Sequence, residues 1–248
     1  MIIEYKKQNT TYLADLNKPI EIGIPVQRAR GVSSFGIANA DYKVYQDGSF
    51  IGNKNQGAGC NLETITFTPH GNSTHTECYG HISLSQHFVN DCITDDFYLA
   101  MLHTFKLKKE GEDDVLDFSD LNFIELNRYD SLVIRVLPNT KEKIHANYSG
   151  VNAPYILSSD MQKIVDAGIK HIILDLPSVD KEWDNGVLAS HHIFWQYPEN
   201  PRTSASITEF AYIANEIVDG KYLLKLNIAN FISDAAPSRP ILYPISSK

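Results

Sequence analysis

The chain has few cysteines and little basic charge. Cys60, Cys78 and Cys92 are an odd number without CxxC spacing, which argues against a disulfide framework and against a thiolate zinc site. Acidic residues outnumber Lys and Arg by 30 to 22, which gives a net charge of −8, and the basic residues form no cluster. We therefore expect no nucleic-acid partner and a reducing compartment.

Long apolar runs are also missing. No stretch approaches the roughly 18 residues of a membrane span. The first residues, "MIIEYKKQNTTYLADLN", lack the apolar core of a signal peptide. The expectation is a cytoplasmic protein with no membrane partner.

Two common catalytic motifs are absent from the sequence. The serine nucleophile motif GxSxG does not occur, and the glycine-rich stretch "GNKNQGAGC" lacks the GK[ST] of a phosphate-binding loop. Serine hydrolysis and P-loop chemistry are therefore disfavoured.

Hydrophobic patterning predicts a mixed α/β domain over residues 1–248, since no repeat or flexible linker divides the chain. Alternation in "PIEIGIPV" (19–26) and "ETITFTP" (63–69) predicts half-buried strands. The nearly continuous apolar runs "SLVIRVLP" (131–138) and "HIILDLP" (171–177) are typical of strands buried on both faces. Between them a capping-box pattern at Ser159 and Gln162 predicts a helix that ends at Gly168. Strand, helix, strand indicates parallel pairing.

The segment "HGNSTHTECYGH" (70–81) concentrates groups that bind metals. Imidazole and carboxylate are standard ligands of zinc and manganese. His75 and Glu77 are separated by one residue, so an extended backbone places both side chains on one face. His81 follows Gly80, which lets the chain turn back. The alternative interpretation is a polar loop with exposed histidines.

Two later segments can supply partners for these residues. "LASHHIFW" carries His191 and His192, which as neighbours cannot normally both point into one site. "ITEFAYI" places Glu209 in an apolar stretch, where an unpaired carboxylate is costly to bury and a cation removes the cost. An exposed position on an edge strand is the alternative for Glu209.

The motif "GNSTHTECYGH" resembles the signature HxGTHxDxPxH of the cyclase-like metal-dependent hydrolases. That family includes bacterial kynurenine formamidases (arylformamidases) and isatin hydrolases. Further blocks follow in the family's order and extend the resemblance over most of the chain: "DLNKPIEIGIPV", "LVIRVLPN", "HIILDLPSVD", "ASHHIFW" and "ITEFAYI".

The resemblance implies a fold, an assembly and a reaction. The fold is a single α/β domain around a mixed, barrel-like sheet with flanking helices (a cyclase-like swivelling β/α/β fold), assembled as a homo-oligomer, either dimer or tetramer. The reaction is hydrolysis of an amide, formamide or cyclic amide bond of a small molecule, with one or two divalent ions, Zn or Mn. Matched to the motif, the metal ligands are His75, Glu77, His191 and Glu209, and the general acid/base is His81. His70, Thr74 and His192 are further candidates, as ligands or as residues behind the ligands.

The chain departs from the signature at its beginning. Gly71 stands where the family has its first ligand histidine, and His70 lies one residue earlier. In an extended chain a shift of one residue reverses the direction of a side chain. Glu77 is longer than the family's aspartate by one C–C bond, about 1.5 Å. The alternative to an enzyme is therefore a diverged binding protein with an incomplete metal site.

The substrate is less well indicated. Trp183, Trp195, Tyr79, Phe88 and Tyr197 are compatible with an aromatic substrate, although core packing explains aromatic residues equally well. Arg202, in the loop between His191 and Glu209, is a candidate partner for a substrate carboxylate.

Overall fold

Sixteen strands and five short α-helices make up the chain in the computed structural model, which describes residues 1–248 except for the side chain of Ser247. The strands are β1 (Ile2–Lys7), β2 (Thr10–Asp15), β3 (Ile20–Glu21), β4 (Asp41–Val44), β5 (Gln46–Asp47), β6 (Phe50–Ile51), β7 (Glu63–Thr66), β8 (His75–Glu77), β9 (Tyr98–Glu110), β10 (Asp113–Asp117), β11 (Ser131–Val136), β12 (His171–Leu174), β13 (Ser206–Glu209), β14 (Gly220–Lys225), β15 (Ala235–Pro237) and β16 (Ile241–Ser247). The α-helices are α1 (Pro69–Asn72), α2 (Val89–Cys92), α3 (Phe123–Leu126), α4 (Ser158–Asp166) and α5 (Ala189–Trp195). Short 3-10 helices span Lys54–Gln56, Tyr79–His81 and Lys141–His145.

A 12-stranded mixed sheet organises the protein. Its main path runs β1-β2-β16-β14-β9-β11-β12-β13-β8-β15, while β10 pairs with β9 and β3 with β16. The four strands from β9 to β13 along this path are parallel to one another, and the other pairs are antiparallel. Every residue of β11 and β12 is buried, as their apolar runs predict. The predicted α/β class with a mixed sheet is confirmed.

Helix α4 makes the predicted crossover between the parallel strands β11 and β12. Met161, Ile164 and Val165 are buried on its inner face, and Gly168 follows its end at φ +80°, a conformation that glycine adopts readily. The predicted capping box is wrong. The N-cap residue is Leu157, two residues before Ser159, and the Gln162 amide donates to Asp166 instead.

Strand β3 and the residues that follow it give the sheet its barrel-like form. Ile20 pairs with Leu242 of β16, and Gly23 bridges to Ala211, just after β13. One residue further, the Ile24 carbonyl accepts from the Thr74 N–H, just before β8. Strands from distant places in the sheet order are thereby connected. Of the predicted strand 19–26, only Ile20–Glu21 is regular.

A strand is present at 63–66, but the predictions that it is half-buried and that it extends to residue 69 are wrong. Strand β7 pairs only with β4, in a separate two-stranded sheet, and all four of its residues are exposed. The chain then turns into α1 at Pro69, where proline suits the first turn of a helix. Within the described residues, helices long and apolar enough to cross a membrane do not occur.

Candidate metal centre

Strand β8 lies between β13 and β15 and forms the floor of a cluster of acids and imidazoles. Its register places His75 opposite Glu209, and both residues are buried. His75 and Glu77 project from one face of the strand, as their spacing predicts, while Thr76 projects from the other and bonds to Thr208 (2.7 Å between the Oγ1 atoms). His75 Nε2 lies 3.4 Å from Glu209 Oε2. Glu209 is thus buried and is not an exposed edge residue.

Helix α5 brings His191 to the same cluster. Its Nε2 lies 3.2 Å from Glu77 Oε1, and its Nδ1 donates to Asp180 Oδ2 at 2.6 Å. His192 lies outside the cluster, because consecutive residues on a helix point about 100° apart. Its ring donates to the Tyr197 carbonyl instead (3.0 Å). The geometry therefore gives His192 no contact with the candidate ligands.

His70 and His81 complete the cluster from the two ends of the motif. His70 Nδ1 lies 3.1 Å from Glu77 Oε2, and His81 Nδ1 lies 3.9 Å from the same oxygen. The sequence left the direction of His70 open, and α1, in place of an extended backbone, turns its ring toward Glu77. Gly71 is packed tightly, since a Cβ there would lie only 2.5 Å from Ile37 Cδ1.

Thr74 positions the motif and lies outside the cluster of ligand atoms. Its hydroxyl accepts from the Ile24 N–H (2.6 Å) and donates to the Phe210 carbonyl. These bonds join the segment before β8 to the segments after β3 and β13. The threonine thus holds His75 in place through the backbone.

Two aspartates at the cluster escape prediction from the sequence. Asp180 supports His191, and Asp234 Oδ2 accepts from His70 Nε2 (2.9 Å) and lies 3.5 Å from His81 Nδ1. Asp180 ends the block "HIILDLPSVD", which resembles the family, but nothing in the block indicates that Asp180 bonds to a ligand histidine. Asp234 precedes β15 in a stretch, "FISDAAP", that carries no recognisable pattern.

The donor atoms fit a divalent cation. Among the described side chains, His75 Nε2 and Glu77 Oε2 are buried without a hydrogen-bond partner, which is costly for polar atoms. Two ligands about 2.0–2.1 Å from a tetrahedral zinc ion lie about 3.3–3.4 Å apart. The separations of 3.4 Å (His75 to Glu209) and 3.2 Å (His191 to Glu77) are close to that value. Glu77 belongs to two groups of suitable geometry, one with His75 and Glu209 and one with His70 and His81.

The electrostatics of the cluster also demand positive charge. Burial opposes protonation of His191, but the Asp180 and Glu77 carboxylates outweigh it and raise its pKa to about 10. The pKa of His70 is likewise raised to about 10 against the effect of burial, by Asp234 and Glu77. Burial raises the pKa of Glu77, yet His81, His191 and His70 together bring it well below its ordinary value. Protons or a metal ion can supply this charge.

A cavity of about 440 Å³ opens onto the cluster. His70, His81, His191 and Glu209 form its floor, and Phe35, Ile37 and Leu188 contribute apolar walls. It is large enough for a small organic molecule in contact with the candidate ligands.

Trp195 and Arg202, which the sequence suggested for substrate binding, have structural positions. Trp195 is fully buried and its indole donates to the Ala205 carbonyl (3.0 Å). Arg202 donates to the carbonyls of Phe194 and Ile169, so its guanidinium holds the loop after α5. The idea that Arg202 meets a substrate carboxylate is therefore not supported. Trp183 is exposed and does not line this cavity; it lines a separate pocket, to which Phe35 also contributes.

The sequence model of the family described as "Putative cyclase" matches residues 14–181, which is more than half of the chain. The chain belongs to this family. His191, Glu209 and Asp234 lie beyond the matched residues. No curated protein matches the chain.

Solved structures of similar fold cover nearly the whole chain. A potential metal-dependent hydrolase with cyclase activity is 12% identical, with a TM-score of 0.65 and coverage of 91% of this chain and 97% of that one. A predicted metal-dependent hydrolase from Bacillus stearothermophilus is 13% identical, with a TM-score of 0.62 and coverage of 91% and 98%. An isatin hydrolase bound to the product analogue thioisatinate is 12% identical, with a TM-score of 0.55 and coverage of 92% and 93%. At these identities the likeness establishes the cyclase-like fold.

Proposed function

We propose that this protein is a metal-dependent hydrolase of an amide, formamide or cyclic amide bond. One observation carries the proposal: the buried atoms His75 Nε2 and Glu77 Oε2, without hydrogen-bond partners among the described side chains, lie in a cluster that opens onto a cavity. Membership of the putative cyclase family and the hydrolase-like fold support it.

The residues that would hold the ion are His75, Glu77, His191 and Glu209, and the ion would be zinc or manganese. Three of these four ligands, His75, His191 and Glu209, are oriented by hydrogen bonds on the side away from the cluster. His75 Nδ1 donates to the Ser73 carbonyl (3.1 Å), which leaves Nε2 facing the cluster. Asp180 holds His191, and Glu209 Oε1 accepts from the Val179 N–H (3.3 Å). Hydrogen bonds of this kind fix the tautomer of a ligand histidine and the direction of the ligand side chain.

A bound divalent ion supplies a Lewis acid that polarises a carbonyl and acidifies water near neutral pH. We assign proton transfer to His81; its support is that 29% of its side chain is exposed and that it lines the cavity. Its Nδ1 faces Asp234 and Glu77, so Nε2 is the nitrogen that can reach a substrate. In the proposed reaction His81 takes a proton from the attacking water and delivers it to the leaving nitrogen.

A cyclic amide is the first substrate class to test. The apolar walls at Phe35, Ile37 and Leu188 suit an apolar or aromatic body, while the histidines face its reacting bond. An isatin hydrolase of similar fold is bound to the product analogue thioisatinate, and this favours starting with a compound of that kind. Isatin, N-formylkynurenine and simple cyclic amides form a suitable panel.

The first experiment measures metal content and compares neighbouring histidines. Purified protein incubated with zinc or manganese should bind one or two ions per chain. His191→Ala should weaken binding strongly, whereas His192→Ala, on the same helix but outside the cluster, should bind as the wild type does. Wild-type protein that binds neither metal would contradict the proposal.

The second experiment separates an enzyme from a binding protein on the same fold. His81→Ala should retain the metal and lower kcat by about 10²–10⁴-fold, the usual contribution of a general acid/base. Loss of an ion in His81→Ala would make this residue a ligand. Metal-loaded wild type that hydrolyses none of the panel would favour the binding protein.

A homo-oligomer, dimer or tetramer, remains part of the proposal. Apolar side chains are exposed on the segment 45–65, including Tyr45, Phe50, Leu62 and Ile65. Exposed apolar groups on one segment are typical of contact surfaces. Light scattering after gel filtration should give a molar mass of at least twice 27.9 kDa, and a monomer at micromolar concentration would contradict this part.

A further inference from the structure

His70 and His191 stand on two sides of Glu77 in the same chemical arrangement. His191 directs Nε2 at Glu77 Oε1 and donates from Nδ1 to Asp180. His70 directs Nδ1 at Glu77 Oε2 and donates from Nε2 to Asp234. Histidines that bind metals usually donate their second ring nitrogen to a carboxylate or carbonyl in this way.

The contact between His70 and Glu77 needs a positive charge between its two atoms. Nε2 of His70 donates to Asp234, so Nδ1 is the nitrogen that faces the Glu77 carboxylate oxygen 3.1 Å away, and a metal ion or a proton can fill the space between them. That oxygen is buried, and in the described part of the chain it has no hydrogen-bond partner. Two electron-rich atoms at this separation match the ligand spacing of one small divalent ion.

Local structure explains why His70 occupies this position although the family's histidine position is taken by glycine. Helix α1 turns each residue by about 100° from the one before it. Gly71 thereby faces Ile37, where a Cβ would come within 2.5 Å of the Ile37 side chain, and His70 faces Glu77. A histidine at position 71 would collide with Ile37.

We infer that this chain builds a second metal position from Glu77 Oε2 and His70 Nδ1, with Asp234 as the residue that orients the His70 ring. The inference rests on the proposed hydrolase function and adds a second ion beside the one held by His75, Glu77, His191 and Glu209. Asp234 reaches His70 because β15, which it precedes, pairs with β8. It lies beyond the residues that the family model matches.

The test is a zinc titration by competition with a chromophoric chelator, combined with metal analysis of the dialysed protein. Wild type should bind two zinc ions per chain, and His70→Ala should bind one. Asp234→Asn, which keeps the size of the side chain, should still bind two. Its affinity for the ion at His70 should fall by about 10–100-fold, the usual effect of losing a residue behind a ligand, while the other ion binds as before. Asp91→Asn, at an exposed aspartate of α2, should match wild type.

Several outcomes overturn the inference. Two ions of unchanged affinity in His70→Ala, or wild-type affinities in Asp234→Asn, would exclude the assigned roles. Equal weakening of both ions in Asp234→Asn would indicate a general structural defect and no specific support of His70. One ion in wild type would exclude the second position but leave the proposed function intact, whereas none would remove both.

Discussion

Two buried histidines, His191 and His171, have opposite pKa shifts because their neighbours differ. His191 is fully buried, yet the Asp180 and Glu77 carboxylates raise its pKa to about 10 against the effect of burial. His171 is equally buried, but its ring meets the Ser206 hydroxyl (2.8 Å) and the Tyr98 ring. Burial there lowers its pKa to about 3, although the Asp130 charge acts in the opposite direction. His191 thus belongs to the candidate metal centre, whereas His171 is a neutral residue packed in the core.

His171 should make the folded state sensitive to acid. Its pKa is lowered on folding, so below its ordinary value of about 6.5 the unfolded chain takes up a proton that the folded chain refuses. Stability is then lost as the pH falls from about 6.5 toward 3, by up to about 1.4 kcal/mol per pH unit. His171→Gln, which can still bond to Ser206 but does not titrate, should show a flatter dependence. Urea unfolding of chelator-treated protein between pH 7 and 4.5 measures the difference.

The comparison between variant and wild type isolates this one group. Acid effects on the metal cluster are common to both proteins and cancel in the difference. His145→Gln, at an exposed position, should follow the wild-type curve. Parallel curves for His171→Gln and wild type would show that His171 does not carry this acid sensitivity.

At the scale of elements, long patterns are readable in the sequence and short ones are not. β11, α4 and β12 follow from apolar runs and from helical spacing that extend over many residues. Helix α1 has four residues, too few to show a period in the sequence. It sets the direction of His70, and for that reason the sequence alone left open whether His70 reaches the other candidate ligands.

The packing of α1 can be tested through Gly71. Gly71→Ala brings a Cβ within 2.5 Å of Ile37 Cδ1 and 2.9 Å of its Cβ and Cγ2, so the helix must shift. Overpacking of this kind should lower the free energy of unfolding by about 1–3 kcal/mol. Ile37→Ala in the same chain should recover part of the loss. Urea unfolding of wild type, both single variants and the double variant measures the coupling, and simple additivity would contradict the contact.

At the scale of the whole molecule, the candidate centre joins residues that are distant in the chain. His70 and Asp234 are 164 positions apart, and Glu77 and His191 are 114 apart. The resemblance to the family locates His75, Glu77, His81, His191 and Glu209, because each lies in a recognisable block. Asp180 lies in a recognisable block but nothing there indicates its role, which depends on the position of α5, and Asp234 lies in no such block and reaches His70 only because β15 pairs with β8.

A metal ion in this centre should therefore stabilise the entire fold. It would hold together the 70–81 segment, α5 and β13, and these donors converge only in the folded chain. Free zinc at 100 times its dissociation constant should add about 2.7 kcal/mol, which for a domain of this size raises Tm by about 5–10 °C. Calorimetry of chelator-treated and zinc-loaded protein measures the shift. His191→Ala should lose most of it and His192→Ala should keep it. Equal shifts in the two variants would mean that zinc stabilises the protein from somewhere other than this cluster.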